Sequence, residues 1–163
     1  VANAQTAGRE LGAQVRRLVS AGGRYVVVVG PYDLARSPWA IKAGTTAQAN
    51  AASSAFNTAL LVSIVDLGTN VLYIDAAYYF NLLVNSPGSY GLSNSTDVIC
   101  TSVDSGNGIG IGTGQVNSAL CNSNTLRAGA DATQYVFADP VYLSPSAHRQ
   151  LGNYAYDRLR ARW

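Results

Sequence analysis

Four consecutive valines, Val26–Val29, restrict the possible folds of this chain more than any other segment. They follow Gly22 and Gly23 and end at Gly30. A short, continuous β-branched run between glycines predicts a strand that is buried on both faces, as in the parallel sheets of α/β proteins. Upstream, apolar residues at helical spacing predict a helix over residues 6–21, which ends at the two glycines. A helix, a Gly-Gly turn and a buried strand together predict a parallel α/β sheet.

The rest of the chain continues this alternation of helices and strands. An apolar-rich segment that ends at Gly68 predicts a long helix, while Ser144 and Pro145 are typical of the N-cap and first turn of another. The predicted elements after the first strand are a loop at 31–45, a helix at 47–67, a strand at 70–75, a helix at 77–85, a helical turn at 89–92, a loop at 93–133, a strand at 134–137 and a helix at 145–160. No repeat or linker interrupts them, which predicts one domain over residues 1–163.

The two cysteines, Cys100 and Cys121, lie within the long predicted loop. A loop of this length is unusual in a compact domain unless something orders it. In an oxidising compartment the pair would form a disulfide. The alternative is two buried free thiols, but a Gly/Ser/Asn-rich loop offers no core to bury them. Two cysteines without neighbouring histidines make a poor metal site, and we expect neither a metal nor a cofactor.

The same loop contains glycines at alternate positions over residues 106–114. Phosphate-binding loops are also rich in glycine. A nucleotide loop, however, follows a strand and opens a helix, and neither pattern flanks this segment. The run therefore predicts a flexible or hairpin-like excursion.

Composition limits the possible partners. Charged residues make up 12% of the chain, with Lys42 as the single lysine and a net charge of +2, whereas soluble domains carry about 25% charged residues. The arginines are scattered except for a C-terminal group at 158, 160 and 162, so we expect no nucleic-acid binding.

No run approaches the ~20 apolar residues of a membrane span. This composition suits a secreted or cell-surface protein, or one covered by partners. The start at Val1, without an initiator Met, predicts a processed or truncated end.

Two segments carry a resemblance to a known family. The more specific is Tyr135-Val-Phe-Ala-Asp-Pro-Val-Tyr-Leu-Ser-Pro-Ser-Ala-His-Arg-Gln-Leu-Gly152, and the other is Gly30-Pro-Tyr-Asp-Leu34 followed by Pro38. With the order of elements, they resemble the C-terminal half of SGNH/GDSL hydrolases, especially the esterase passengers of bacterial autotransporters. The resemblance covers essentially the whole chain but about half of the family's domain. It implies a partial doubly wound, flavodoxin-like parallel sheet, in which the two buried strands are the fourth and fifth.

The resemblance also implies a vestigial catalytic block. Asp139 matches the triad aspartate, and Tyr142 stands where the family places its catalytic histidine. Tyrosine has an ordinary pKa of about 10, which makes it a poor general base at pH 7. The Gly-Asp-Ser-Leu and Gly-x-Asn-Asp blocks, which hold the family's nucleophile and oxyanion donors, do not occur in this chain. We therefore expect no esterase activity from this chain alone.

Other residues of the block have structural interpretations. His148, the single histidine, matches the family's second, helical histidine, and we expect a partly buried packing residue. An aspartate before a proline is a common turn former, which is the alternative role for Asp139, and Asp33 is expected to shape its loop. The tyrosines, including Tyr78 and Tyr79, are expected in the core or a subunit interface rather than in a sugar-binding platform.

A half-domain leaves one edge of the valine strand open, and an open apolar edge favours pairing with another chain. Two functional hypotheses follow. In the first, the chain is a non-catalytic SGNH hydrolase-like pseudoenzyme that acts by association, with itself as a homo-oligomer or filament, or with a second chain that supplies the missing N-terminal half. In the second, it is the C-terminal fragment of a secreted GDSL-type carboxylic ester hydrolase or lipase.

Overall fold

A computed structural model describes all 163 residues, Val1–Trp163, as a mixed α/β protein with small parallel sheets. Its helices and strands are α1 (Ala2–Ser20), β1 (Val26–Val29), α2 (Pro38–Lys42), α3 (Thr46–Ile64), β2 (Val71–Ile74), α4 (Ala76–Asn85), β3 (Asn94–Val98), β4 (Val103–Asp104), β5 (Gln115–Val116), β6 (Tyr135–Phe137) and α5 (Pro145–Arg162). The helices predicted from the sequence are present as α1, α3, α4 and α5, and the predicted strands as β1, β2 and β6, with shifts of a few residues at their ends. The predicted turn at 89–92 is a 3-10 turn over Pro87–Tyr90.

The first half of the chain builds a two-stranded sheet with two helices on one face. β1 and β2 pair in parallel, with Val26 opposite Val71 and Val29 opposite Ile74. α1 and α3 pack against each other over this sheet and bury one apolar cluster, which consists of Val15, Val28, Leu60, Ile64 and Val71. A helix, a strand, a long helix and a parallel strand are the order that the sequence predicts for this half.

The second half buries a separate cluster between α4, α5 and a second parallel pair. β3 and β6 pair in parallel with one register irregularity between Asn94 and Val98. Their cluster comprises Phe80, Leu83, Leu92, Val136, Phe137, Leu143 and Ala147. α5 contacts both β2 and β6, so it joins the two halves of the chain.

The predicted disulfide is confirmed. Cys100 and Cys121 are bonded, with their Cα atoms 5.9 Å apart. Between them, β4 and β5 form an antiparallel pair with Val103 opposite Val116, and the glycine-rich residues 106–114 lie in the connection. This confirms the hairpin-like excursion that the sequence predicts. The disulfide packs on Ile99 and Ala138 in a small third cluster, so it ties the loop to the segments that follow β3 and β6.

The prediction that the valine strand is buried on both faces is wrong. Val28 is 6% exposed beneath α1 and α3, but Val27 and Val29 on the opposite face are 40% and 49% exposed. Their neighbours in β2, Leu72 and Ile74, are buried because α5 packs against β2. The cover on this face therefore ends at β2 and leaves the apolar face of β1 open.

Besides the β4–β5 pair, two elements lie where the sequence predicts only loop. α2 begins at Pro38 and is capped by Ser37, whose hydroxyl accepts from the backbone N–H of Ala40. Ser-Pro is a recognisable helix start, but five residues are too few for an apolar period. β3 has the sequence Asn-Ser-Thr-Asp-Val, which lacks the β-branched or alternating pattern of a buried strand. β3 forms because tertiary pairing with β6 overrides its weak local preference.

One helical segment, Thr46–Asn70, is long and apolar enough to cross a membrane by length and composition. The core helix of a globular domain passes the same test. In this fold the segment is α3 followed by a 3-10 turn, and Gly68 breaks the helical path within that turn. Leu60 and Ile64 pack in the core, while Val62 and Val65 are 67% and 71% exposed.

Close packing between α1 and α3 depends on two glycines one helical turn apart. A Cβ atom on Gly8 would lie 2.4 Å from the carbonyl oxygen of Phe56, and one on Gly12 would lie 2.4 Å from the Cβ of Ser63. Both distances are shorter than any van der Waals contact, so the two helices approach closely because these positions lack side chains.

We expect Gly8→Ala to lower the free energy of unfolding by about 1–3 kcal/mol, because overpacking a tight contact forces backbone shifts. The matched control is Gly152→Ala in α5, where nothing lies within 4 Å of the new Cβ. That change should raise the free energy of unfolding by about 0.5–1 kcal/mol through helix propensity. Urea unfolding measures both variants. A stabilising effect of both substitutions would contradict the close approach of α1 to α3.

Candidate functional site

The block that carries the family resemblance forms a tight turn after β6. Asp139 is completely buried, and its carboxylate accepts three backbone hydrogen bonds. Oδ1 accepts from the N–H groups of Val141 at 2.9 Å and Tyr142 at 2.7 Å, and Oδ2 accepts from the N–H of Ser118 at 2.9 Å. This is the turn-forming role that the Asp-Pro sequence predicts as the alternative for Asp139.

The same turn is held from several directions. The bond from Ser118 attaches it to the disulfide loop, between β5 and Cys121. The backbone N–H of Trp39 donates to the carbonyl of Pro140 at 3.0 Å, which attaches α2. The hydroxyl of Tyr32 donates to the carbonyl of Val141 at 2.5 Å, which attaches the loop after β1. Segments that are distant in sequence therefore converge on residues 139–142.

The surroundings of the turn keep the partly buried phenol of Tyr32 neutral. Burial, followed by the negative charge of Asp139 and then by Tyr142 and Asp33, raises the pKa of Tyr32 well above its ordinary value. Tyr32 therefore remains a hydrogen-bond donor throughout the neutral range. Burial and the nearby Asp75 likewise raise the pKa of Tyr73 to about 12. Neither phenol can serve as a base near neutral pH.

The other two residues of the block do not join Asp139 in a catalytic arrangement. The side chain of Tyr142 is exposed and makes no hydrogen bond, and its contribution to the turn comes from its backbone. His148 is also exposed and its imidazole has no hydrogen-bond partner, so the prediction of a partly buried packing residue is wrong. All three hydrogen bonds of the Asp139 carboxylate come from backbone N–H groups, none from an imidazole. No group of three or more metal-binding side chains occurs in the chain.

The remaining predicted residues have structural roles. Asp33 is buried and caps the turn Leu34–Arg36 through the N–H of Ala35, and it accepts from Asn50 at 2.8 Å. Tyr79 stacks on Tyr154 with ring centroids 4.4 Å apart. These findings agree with a loop-shaping aspartate and a packed tyrosine. Tyr78, by contrast, is 57% exposed.

A cleft that the sequence did not reveal lies beside this turn, between α2 and the strands β3 and β5. Its volume is about 540 Å³, and Pro140 and Trp39 form part of its wall. Lys42 and Arg127 also line it. The available signal was the single lysine close to a tryptophan in the loop after the valine strand, a pattern too short to predict a site.

The outer edge of β1 is a further candidate surface. The N–H of Gly30 donates to the carbonyl of Ile74 at 3.2 Å. Because backbone groups alternate in direction along a strand, Val27 and Val29 point their N–H and C=O groups away from β2. No other strand pairs with this edge. The exposed face of β1 thus presents apolar side chains, and its outer edge presents backbone N–H and C=O groups without a partner strand.

No protein-family model matches the chain. A curated protein of Pseudomonas putida, described as an uncharacterized protein in the trpE-trpG intergenic region, is 26% identical to it over 164 residues. The match covers 99% of this chain and 26% of that protein, so the chain spans about a quarter of the length of the relative.

Proposed function

We propose that this chain is a non-catalytic SGNH hydrolase-like unit that acts by association, outside the cell or at its surface. The observation that carries the proposal is the open side of β1. Val27 and Val29 are 40% and 49% exposed, and their backbone groups have no partner strand. An unpaired apolar strand is a template for pairing with another strand.

The partner in this proposal is a second copy of the chain. An apolar strand edge is complementary to itself across a twofold axis, and two β1 strands related in this way pair in antiparallel orientation. The exposed valines of the two copies then cover one another. The disulfide between Cys100 and Cys121 and the low content of charged residues support an extracellular setting.

The Asp139 turn supports a role without catalysis. In the SGNH family, which the block resembles, the aspartate orients a histidine that takes the proton of the nucleophilic serine. Here Tyr142 occupies that position and the carboxylate is engaged by three backbone N–H groups. A carboxylate used in this way stabilises the turn and does not orient a general base.

The test is the mass of the purified native chain by non-denaturing mass spectrometry. We expect a dimer or larger assembly that Val27→Lys shifts toward the monomer, because a charge on a strand edge opposes pairing. The control is Val103→Lys, which places the same charge on an exposed valine of β4. A folded wild-type monomer would overturn the proposal, and so would equal effects of the two substitutions.

A second candidate is the C-terminal segment of a GDSL-type carboxylic ester hydrolase, whose remaining strands pair in parallel with β1. The length of the Pseudomonas putida protein, of which this chain matches 26%, favours it. The test mixes the chain with a polypeptide that carries the Gly-Asp-Ser-Leu block and measures hydrolysis of a short-chain acyl ester. Hydrolysis that increases when the chain carries Tyr142→His would support a hydrolase. Tyr142 is exposed, so it can be replaced without unfolding the turn. Absence of hydrolysis in the mixtures with the wild-type chain and with the Tyr142→His chain would exclude the hydrolase hypothesis.

A further inference from the structure

The cleft between α2, β3 and β5 combines an apolar wall with unpaired donors. Trp39, Val98 and Val116 supply the wall, with Pro140 at one side. Its volume of about 540 Å³ lies within the range of small-molecule sites, roughly 300–1,000 Å³. Two interactions fix α2 at the cleft. Ser37 caps the helix, and the backbone N–H of Trp39 donates to the carbonyl of Pro140.

The charges in the cleft are unequal. Lys42, Arg127 and Asp97 are its only charged residues, so the lining carries one net positive charge. Arg127 is partly satisfied, since its Nε donates to the carbonyl of Val98 at 3.1 Å and its guanidinium lies 3.8 Å from Asp97. The ammonium of Lys42 forms no ion pair. The ring N–H of Trp39 likewise has no acceptor within the chain, so both are free to donate to a ligand.

We propose that this cleft binds a small carboxylate with an apolar body. The carboxylate accepts from the ammonium of Lys42 and from the ring N–H of Trp39, while the apolar body lies against Val98 and Val116. A carboxylate oxygen can accept from both kinds of donor, and its negative charge complements the net positive charge of the lining. A cation would meet the net positive charge of a lining that holds Lys42, Arg127 and Asp97, and a neutral apolar molecule would leave the Lys42 charge unpaired.

The probe is octanoate, compared with octan-1-ol and octylammonium, titrated into the full chain. The chain has two tryptophans, so a Trp163→Phe background leaves Trp39 in the cleft as the single tryptophan, whose emission is followed with excitation selective for tryptophan over the ten tyrosines. We expect saturable binding of octanoate, weaker binding of octanol and no binding of octylammonium. The indole N–H resonance of Trp39 in an NMR spectrum should shift most with octanoate, less with octan-1-ol and not at all with octylammonium.

The decisive variant is Lys42→Gln, which removes the unpaired charge from an exposed position and leaves the fold intact. We expect octanoate affinity to fall roughly fivefold, the upper end of what an exposed ion pair contributes. The control is Arg158→Gln, which removes the same charge from the exposed face of α5 and should leave affinity unchanged. Absence of octanoate binding, equal binding of octanol, or equal effects of the two variants would overturn the proposal.

Discussion

Replacement of Asp139 with alanine is expected to lower the free energy of unfolding by about 3–5 kcal/mol. The substitution removes the acceptor of three backbone N–H groups, those of Ser118, Val141 and Tyr142. Hydrogen bonds to a charged acceptor contribute about 1.5–3 kcal/mol each, and a buried donor left without a partner costs about 1–3 kcal/mol. The residue has no exposed surface, so water cannot replace the lost carboxylate without rearrangement of the turn.

Asp139→Asn separates the contributions of the two carboxylate oxygens, Oδ1 within the turn and Oδ2 toward Ser118. An amide keeps one acceptor oxygen, which can still serve Val141 and Tyr142, but it places an NH₂ group toward the N–H of Ser118. We therefore expect about half of the alanine effect, together with faster hydrogen exchange at Ser118 and its neighbours in the disulfide loop. The control is Asp131→Ala, because Asp131 caps a turn in the same way through Thr133 but is exposed, and its loss should change stability little.

Urea unfolding of the four proteins measures these effects. If Asp139→Ala proved as stable as Asp131→Ala, the Asp139 carboxylate would not hold the turn. Its burial would then require another cause, such as a catalytic role in a completed hydrolase. The ordering of alanine, asparagine and wild type thus distinguishes a structural aspartate from one kept for chemistry.

The elements that sequence analysis predicts well are those whose pattern is local. The Gly-Gly stop after α1, the valines of β1 and the long apolar period of α3 each have a direct physical signature. The disulfide was predictable for a similar reason, since both cysteines lie in one long Gly/Ser/Asn-rich loop whose sequence predicts no core, although the folded loop buries Cys100 in a small apolar cluster. β3 and α2 have no such signature, because one is polar and the other is five residues long.

Burial is less predictable because it depends on neighbours in space. A run of four valines predicts cover on both faces, but cover for Val27 and Val29 has to come from another segment or another chain. The role of Asp139 shows the same limit. Its Asp-Pro sequence predicts a turn, but the third hydrogen bond comes from Ser118, which is 21 residues away. Trp39 and Lys42 are too short a pattern to predict a site, since only tertiary packing brings α2 to β3 and β5.

Removal of the disulfide by a Cys100→Ala, Cys121→Ala double substitution is expected to lower the free energy of unfolding by about 3 kcal/mol. The bond closes a loop with a sequence separation of 21 residues, and closure at this length restricts the unfolded chain by that amount. Cys100 is 4% exposed and packs on Ile99 and Ala138, so the lost sulfur contacts add to the cost. Reduction of the wild-type protein should produce a comparable loss without changing the size of any side chain.

The disulfide and Asp139 should also be energetically coupled, because both fix Ser118 against the turn after β6. Once the loop is opened, Ser118 is held less firmly, and its hydrogen bond to Oδ2 contributes less. The triple variant with Asp139→Ala should therefore lose at least about 0.5 kcal/mol less than the sum of the separate losses, which is the coupling expected for groups in one network. Gly8→Ala, located between α1 and α3, should add to the disulfide effect without coupling. Strict additivity between the disulfide and Asp139 would mean that the loop keeps its place on the turn without the bond, and that β4 and β5 position Ser118 by themselves.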